Sequence, residues 1–389
     1  MIATGIEGPD NAPRRRSVED WNRPSRMQSW YAVLPPGLEA VGARELRAHA
    51  VTDLSVLPGG VRFRAPLEQG ARLAALLRTP GRLLLELATG SAPTLEALAG
   101  LVRRTDWRPY LTPWTPLEIQ VSAKESRVRY RDTAGAKVEH AIRDALRGPR
   151  VAGLRPKWDP PSQRVMVRLE HDQATLSLDV GGELLHLRGW RKISGRAPIR
   201  ENLASCLLGI AGWDGSEPLL DPFCGSGTIP IEAWLQAAGR PPWVQRTFAF
   251  ASWPAMEKVR LPDPRRGHPV EVEIWGADKE SQALAAAHEN AALAGVHPRW
   301  MQCDVADLEP PCPTGLILTN PPYGERLGQR VDGVYATFGR TLRERFAGWR
   351  ALYLAPNRGL AQMVDREARE LTTFSNGGIR VGVYGLTLG

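Results

Sequence analysis

Two hydrophobic rhythms divide this chain. Between residues 29 and 185 short alternating runs are mixed with helical stretches. SWYAVLPPGLEAVGARELRAH reads as a strand, a Pro-Pro-Gly turn and an amphipathic helix. GGVRFRA alternates as a strand does, ARLAALLRTPGRLLLELATG gives helix, turn and strand, and LEALAGLVRRTDW predicts another helix. LEIQVSAK alternates again, and AKVEHAIRDAL repeats on one helical face at Val138, Ile142 and Leu146. RVMVRLEHDQATLSLDV closes the region as two alternating runs around a turn. Small mixed units of this kind predict an α+β region rather than a long parallel sheet.

After Gly189 the rhythm changes. PLLDPFCGSGTIPIEAWLQAAG is strand, glycine-rich turn and helix, and VEVEIWGADKESQALAAAHENAALAGV is strand then helix. RWMQCDV, GLILTN and RALYLAP are further short apolar strands, with the helical VYATFGRTLRERFAG ahead of the last. Apolar strands alternating with helices predict a mostly parallel sheet covered on both faces. LTTFSNGGIRVGVYGLTL ends the chain as a hairpin turning at Asn376-Gly377-Gly378. The Pro- and Arg-rich stretch from Arg240 to His268 reads as an insertion loop, and residues 1–28, polar and Pro-containing, as a disordered tail without a secretion signal. The expected organisation is a tail at 1–28, then 29–95, 96–185 and 186–389.

Composition adds three limits. No run of 18 apolar residues exists, so no membrane span is expected. The four cysteines, Cys206, Cys224, Cys303 and Cys312, form no CxxC pair, so reduced thiols are expected instead of a disulfide framework or a metal site. The net charge of +8 is unevenly placed: residues 101–200 hold 20 Lys+Arg against 11 Asp+Glu, a balance of +9, whereas residues 201–389 hold 18 against 21. A basic middle fits a polyanionic partner, and it equally fits a solvated basic face.

The candidate chemistry lies at the predicted strand ends. Asp221-Pro222-Phe223-Cys224-Gly225-Ser226-Gly227 follows the first strand of the second half, where glycines let backbone approach a ligand, although the dinucleotide pattern GxGxxG is not met. Asp278 ends the next strand, as an acid that accepts ribose hydroxyls would, with Glu280 two residues on. Asp304 ends the third, as a base-amino acceptor or as a helix cap. Then GLILT runs into Asn320-Pro321-Pro322-Tyr323. An exocyclic base nitrogen is a poor nucleophile because its lone pair is delocalised. The Asn320 side-chain oxygen and the Pro321 carbonyl can each accept one amino hydrogen and free that lone pair. Two prolines fix φ, and Tyr323 offers a face to a base taken out of its stack.

These residues, in this order, resemble class I S-adenosylmethionine-dependent methyltransferases that methylate amines. DPFCGSGT, GADKE, CD at 303–304 and NPPY look like their successive motifs, and RGWRKISGRAPIRENLA looks like the segment before the first strand in THUMP-containing RNA guanine-N2 methyltransferases. PGLEAVGARELRA, GGVRF and SLDVGGELLHLRGWR are similar to the ferredoxin-like and THUMP parts of that group. The likeness spans nearly everything past residue 28. NPPYGERL and RTFAFASWP resemble the bacterial 23S rRNA enzymes more than the tRNA enzymes. Three positions depart from the pattern: Glu280, Phe223 and Asn202.

The resemblance implies an α/β, Rossmann-like domain with a seven-stranded, mostly parallel sheet at 186–389. Ahead of it would stand a ferredoxin-like region (29–95) and a THUMP RNA-binding region (96–185). It implies S-adenosylmethionine in a pocket of Glu201, Asn202, Asp221, Phe223, Gly225, Gly227, Asp278 and Asp304. Asn320, Pro321, Pro322 and Tyr323 would hold a flipped guanine. Arg103, Arg104, Lys124, Arg127, Arg129, Arg131 and Arg326 would meet RNA. Trp107, Trp114 and Tyr130 lie among those charges and could stack on bases, but core packing is the expectation. The implied reaction is methyl transfer to guanine N2 in 23S rRNA by a cytoplasmic monomer that uses no metal. The alternatives are the same chemistry on tRNA, adenine-N6 methylation of DNA, and a non-catalytic RNA-binding factor.

Overall fold

The computed structural model describes residues 27–147, 161–193, 195, 198–323 and 331–389. Residues 1–26 of the predicted tail fall outside that range, whereas Met27 and Gln28, assigned to the tail, already belong to the first strand because they pair with Pro66 and Ala65. Two seven-stranded sheets account for the described strands.

The N-terminal sheet is built from β1 (Met27–Val33), β2 (Leu54–Leu57), β3 (Gly60–Pro66), β4 (Arg82–Ser91), β5 (Leu117–Lys124), β6 (Gln163–Glu170) and β7 (Gln173–Asp179). Their order is β2-β3-β1-β4-β7-β6-β5. Every pair is antiparallel except β5 with β6. Helices α1 (Glu39–Ala48), α2 (Leu67–Leu76), α3 (Leu95–Arg104) and α4 (Arg131–Leu146) accompany it. Because β4 pairs with β7, one sheet runs unbroken across the predicted boundary at residue 95.

The C-terminal sheet has the order β10-β9-β8-β11-β12-β14-β13. Its strands are β8 (Leu219–Asp221), β9 (Ile274–Asp278), β10 (Arg299–Gln302), β11 (Leu316–Thr319), β12 (Arg350–Ala355), β13 (Arg369–Asn376) and β14 (Ile379–Thr387). The five strands from β10 to β12 are parallel, and the β13–β14 hairpin joins antiparallel. Helices α5 (Glu201–Ala211), α6 (Thr228–Ala237), α7 (Ser281–Ala294), α8 (Val331–Arg345) and α9 (Arg358–Val364) belong to this half. All residues of β8 and β11 are buried, which is why both read as apolar runs up to a terminal Asp221 or Thr319 and not as alternating ones.

The two halves share a polar seam. Glu232 of α6 has no exposed surface; it accepts from Ser205 Oγ at 2.6 Å and pairs with Arg188 at 3.4 Å. Arg188 in turn donates to the Arg78 carbonyl at 2.5 Å. The stretch from Arg240 to His268 is irregular, as expected; residues 257–268 are mostly exposed, whereas its earlier part packs inward. Phe248, Phe250, Trp253 and Met256 are buried in the N-terminal core, and Trp253 Nε1 donates to Gln163 Oε1 at 2.7 Å. Aromatic burial of this kind stabilises by about 1.5–3 kcal/mol per side chain, so the insertion fastens one half to the other. Cys206 and Cys224 are buried, whereas Cys303 and Cys312 are half-buried, and all four are free thiols. Among the described residues no helix is long and apolar enough to cross a membrane.

Candidate active site

Strand β8 runs out to β9 and β10 on one side and faces β11 on the other. A crevice at the carboxyl ends of β8 and β11 is where an open α/β sheet binds its ligands. Asp221 ends β8 and is 2% exposed. Its Oδ1 accepts from Thr319 Oγ1 at 2.6 Å and from the Phe223 N–H at 3.1 Å, so the two central strand ends are tied together. Burial pushes the Asp221 carboxyl up to about 7, against those two hydrogen bonds, and the charge of Asp278 adds to the rise.

The glycine loop follows. Half-buried Asp278 accepts from Gly225 N–H on Oδ2 and from Glu280 N–H on Oδ1, both at 3.0 Å. Desolvation raises its carboxyl, and those N–H groups oppose the rise. The two glycines do different work. Gly225 (φ +53°) has nothing within 4 Å of where a Cβ would stand, so its outer face is open. At Gly227 (φ +83°) a Cβ would lie 2.7 Å from the Trp300 ring and 3.0 Å from Ala287 Cβ, so that glycine serves packing. Gly227→Ala is therefore expected to destabilise the fold by about 1–3 kcal/mol through overpacking in addition to left-handed strain of about 1–2 kcal/mol, whereas Gly225→Ala meets that strain alone and weakens ligand binding. Thermal melting alongside cofactor titration of both variants checks this. Equal stability losses without a binding defect at Gly225 would contradict it.

Phe223 packs edge-on against Phe338 of α8, with ring centroids 5.4 Å apart. Asp304 is exposed, and its Oδ1 caps the next turn by accepting from Ala306 N–H at 3.0 Å.

The segment before α5 is held by residues that sequence reasoning missed. Asn290 of α7, with no exposed surface, accepts from the N–H groups of Lys192 and Ile193 through Oδ1. Its Nδ2 donates to the carbonyls of Ile193 at 2.9 Å and Ser226 at 3.1 Å. One amide thus pins this segment to the glycine loop. A signal for it existed: Asn290 is a polar residue on the helix face that also carries Ala286, Ala287, Ala291 and Ala294. Arg191 donates to Thr228 Oγ1 at 2.6 Å and pairs with buried Glu201 at 3.1 Å. Burial raises the Glu201 carboxyl, and Arg191 opposes that. Glu201 lines a cavity of about 460 Å³ with His186, Arg191 and Arg200. Asn202 Nδ2 donates to the Thr79 carbonyl at 3.2 Å, on the seam with the N-terminal half, while its Oδ1 is buried with no hydrogen-bond partner among the described residues.

Beyond β11 the chain enters Asn320-Pro321-Pro322-Tyr323. Asn320 Oδ1 is buried with no hydrogen-bond partner among the described residues. A native fold leaves few such acceptors, and each asks for an explanation. Pro321 is buried, and Pro322 and Tyr323 are half-buried. The Tyr323 hydroxyl accepts from Asn376 Nδ2 at 2.6 Å. Burial raises the phenol against that bond. Arg326 lies outside the described residues.

With this geometry in view, a family model described as "RMKL-like, methyltransferase domain" matches residues 188–383, about half of the chain. The chain belongs to the RMKL-like methyltransferase family. A second model, described as "RlmL ferredoxin-like domain", matches residues 29–84. A protein of Synechocystis named "Putative RNA methyltransferase slr0064" is 31% identical over 361 residues, covering 90% of this chain and 94% of that protein. The "Ribosomal RNA large subunit methyltransferase K/L" of Syntrophotalea carbinolica is 34% identical over 373 residues, covering 90% of this chain and 52% of that protein. The chain thus spans about half the length of the K/L relatives it matches. The crystal structure of SMU.472 complexed with SAH superposes with a TM-score of 0.84 at 27% identity, covering 94% of this chain and 99% of that one. The expected α/β methyltransferase fold, preceded by a ferredoxin-like region, is what this RMKL-like chain has.

Arg127, Arg129 and Arg131 line a cavity of about 450 Å³ with Ala123, Glu125 and Ser126. Arg127 is oriented by Asp172, which takes its backbone N–H at 2.8 Å and its Nε at 2.6 Å. Lys124 pairs with Glu170 at 3.8 Å, and Arg103 and Arg104 stand exposed at the end of α3. The aromatic expectation fails in part. Trp107 is buried and bonded to the Val102 carbonyl, but Trp114 is 46% exposed and Tyr130 is 80% exposed. Both extend toward solvent where core packing was expected. Among the described residues no group of three or more His, Cys, Asp or Glu is arranged to hold a metal ion.

Proposed function

We propose that this chain transfers a methyl group from S-adenosylmethionine to the N2 amino group of a guanine in 23S rRNA. The observation that carries the proposal is Asn320 Oδ1: a buried acceptor without a partner among the described residues, at the ligand-binding end of the sheet, followed by two prolines and a half-buried tyrosine. An acceptor held without a partner suits a donor that arrives with the substrate, and an amino group brings two hydrogens. Asn320 takes one and the Pro321 carbonyl the other. The nitrogen lone pair is then localised and aimed, while the fixed φ of both prolines removes the need to reorganise. Tyr323 gives the extruded base a face to lie on.

S-adenosylmethionine supplies an electrophilic methyl group carried on a sulfonium. The open side of Gly225 leaves room for it, and Asp278 and Asp304 stand ready to accept from its polar groups. Asp221, Phe223, Gly227 and Glu201 shape the walls, whereas Asn202 works at the seam. The rRNA substrate is supported by the K/L relatives, and the match to an RlmL ferredoxin-like region points to the L part of those longer proteins. The residues from 96 to 185 are proposed as the THUMP-like RNA grip, and the cytoplasm is the compartment this substrate implies.

The RNA grip is tested through salt. With Arg129 and Arg131 both changed to Ala, the slope of log affinity against log salt is expected to flatten by roughly 1.4–1.8, two phosphates' worth. Tyr130→Ala is expected to weaken binding by about 1–3 kcal/mol with an unchanged slope, since stacking releases no counterions. Unaltered slopes in the arginine variant would remove these residues from the RNA surface.

The deciding assay is methyl transfer from labelled cofactor into unmodified 23S rRNA, tRNA and DNA, with the product nucleoside identified. N2-methylguanosine in 23S rRNA is expected. N2-methylguanosine in tRNA keeps the chemistry and changes the substrate, methyladenine in DNA overturns the reading of the N-terminal half, and RNA binding without transfer leaves the non-catalytic factor.

A further inference from the structure

We infer that Asn376, at the end of β13, is a positioning residue that fixes the tyrosine of the clamp. The inference rests on the clamp reading of Tyr323. Asn376 Nδ2 meets the Tyr323 hydroxyl at 2.6 Å across 53 residues of chain. The bond spans the sheet, since β13 lies three places beyond β11. The rest of Tyr323 touches the apolar cluster of the C-terminal half, so without Asn376 the ring keeps its plane only through non-directional contacts. A base lying on that ring takes its orientation from it.

Asn376 is itself well anchored. It pairs with Ile379 around Gly377 (φ +59°) and Gly378 (φ +87°), a turn only glycines enter without strain. Upstream, β13 is gripped by the N-terminal half: Thr372 Oγ1 donates to the Gly37 carbonyl at 2.8 Å, and a Cβ on Gly37 (φ +97°) would stand 2.0 Å from the Thr373 carbonyl oxygen. The Pro-Pro-Gly turn near the start of the chain therefore abuts the strand that ends in Asn376. The clamp aromatic is aligned to a strand that the proposed RNA-gripping half also holds.

The plain alternative is that Asn376 is only a hairpin residue, since Asn before Gly favours such turns. Single-turnover transfer, KM for RNA and cofactor, and thermal melting separate the two for Asn376→Ala, Asn376→Asp, Tyr323→Phe, Tyr323→Ala and the Asn376→Ala/Tyr323→Phe pair. Expected is a loss of about three- to tenfold in turnover for Asn376→Ala and for Tyr323→Phe, with both KM values unchanged and no further loss in the pair. Asn376→Asp restores turnover, because its carboxylate accepts from the phenol. Multiplying losses in the pair, or a lower melting point for Asn376→Ala with full turnover, would overturn the positioning role. Full turnover in Tyr323→Ala would instead overturn the clamp reading itself, whereas an inactive Tyr323→Ala beside a fully active Asn376→Ala would overturn the positioning role alone.

Discussion

Asn320→Ala is expected to cut methyl-transfer turnover by about 10²–10³-fold, the effect of removing one preorganised polar group from a transition state. Its effect on stability should be nil or favourable. Asn320 Oδ1 already lies buried without a partner among the described residues, and an unmade hydrogen bond of that kind costs about 1–3 kcal/mol. Deleting the acceptor removes this cost. Activity and melting temperature should therefore move independently, which a residue needed for folding would not permit. Single-turnover transfer, cofactor and RNA titrations, and a melting curve on one preparation check the prediction. A large loss of RNA or cofactor affinity would make Asn320 a binding residue. A large loss of stability would make it structural.

Asp221→Asn is expected to flatten the pH dependence of folding stability. Burial holds the Asp221 carboxyl near 7, against about 3.9 in an unfolded chain. Below both values the group is protonated in either state and contributes no pH dependence. As pH rises between them, the unfolded chain releases the proton while the folded protein keeps it, so stability falls by up to about 1.4 kcal/mol per unit, roughly 4 kcal/mol across the window. Asn keeps an oxygen for Thr319 and does not titrate. His186 acts in the opposite sense: burial, followed by Arg200, Arg188, Arg191 and Arg246, holds it down to about 4, so it lowers stability as pH falls below its ordinary range. That contribution is common to both proteins and cancels in the difference. The stability difference between wild type and variant, measured by denaturant melts from pH 4 to pH 8, should therefore widen with pH. Parallel curves would mean that Asp221 is ionised in the folded protein at neutral pH.

Much of the C-terminal half was legible in the sequence because its signals are local. LLD and LILT are strands buried on both faces, so every residue is apolar until the strand ends, and the polar residue after each run marks a strand end in the fold. Positive φ at Gly225 and Gly227, and at Gly377 and Gly378, is a backbone demand that a sequence displays directly as glycine. The order of these elements with NPPY was enough to suggest the fold and the methyltransferase family. Asp304 shows the limit of the same reasoning: acceptor and helix cap were both open from sequence, and its cap bond to Ala306 is a fact of geometry.

What tertiary structure alone decided are the contacts between residues far apart in the chain. Trp253 and its neighbours read as part of a polar insertion because arginines and prolines surround them, yet they complete a core some 90 residues upstream. Tyr130 and Trp114 read as core aromatics because aromatic type alone predicts burial, and only the placement of α4 and β5 leaves them in solvent. Asn202, placed in the cofactor pocket by its motif, also reaches the Thr79 carbonyl through Nδ2, a contact that no motif shows and that arises because α5 packs against the other half. Asn290, a polar residue on an apolar helix face, and Asn376, ahead of a glycine turn, are visible in the sequence, but only the fold shows what their amides bond. The sequence by itself determined which segments become strands and helices and which strand ends turn polar, because backbone preference and burial pattern act over a few residues. The tertiary structure decided which of those polar groups already have a partner among the described residues and which do not, because hydrogen-bond partners come from anywhere in the chain.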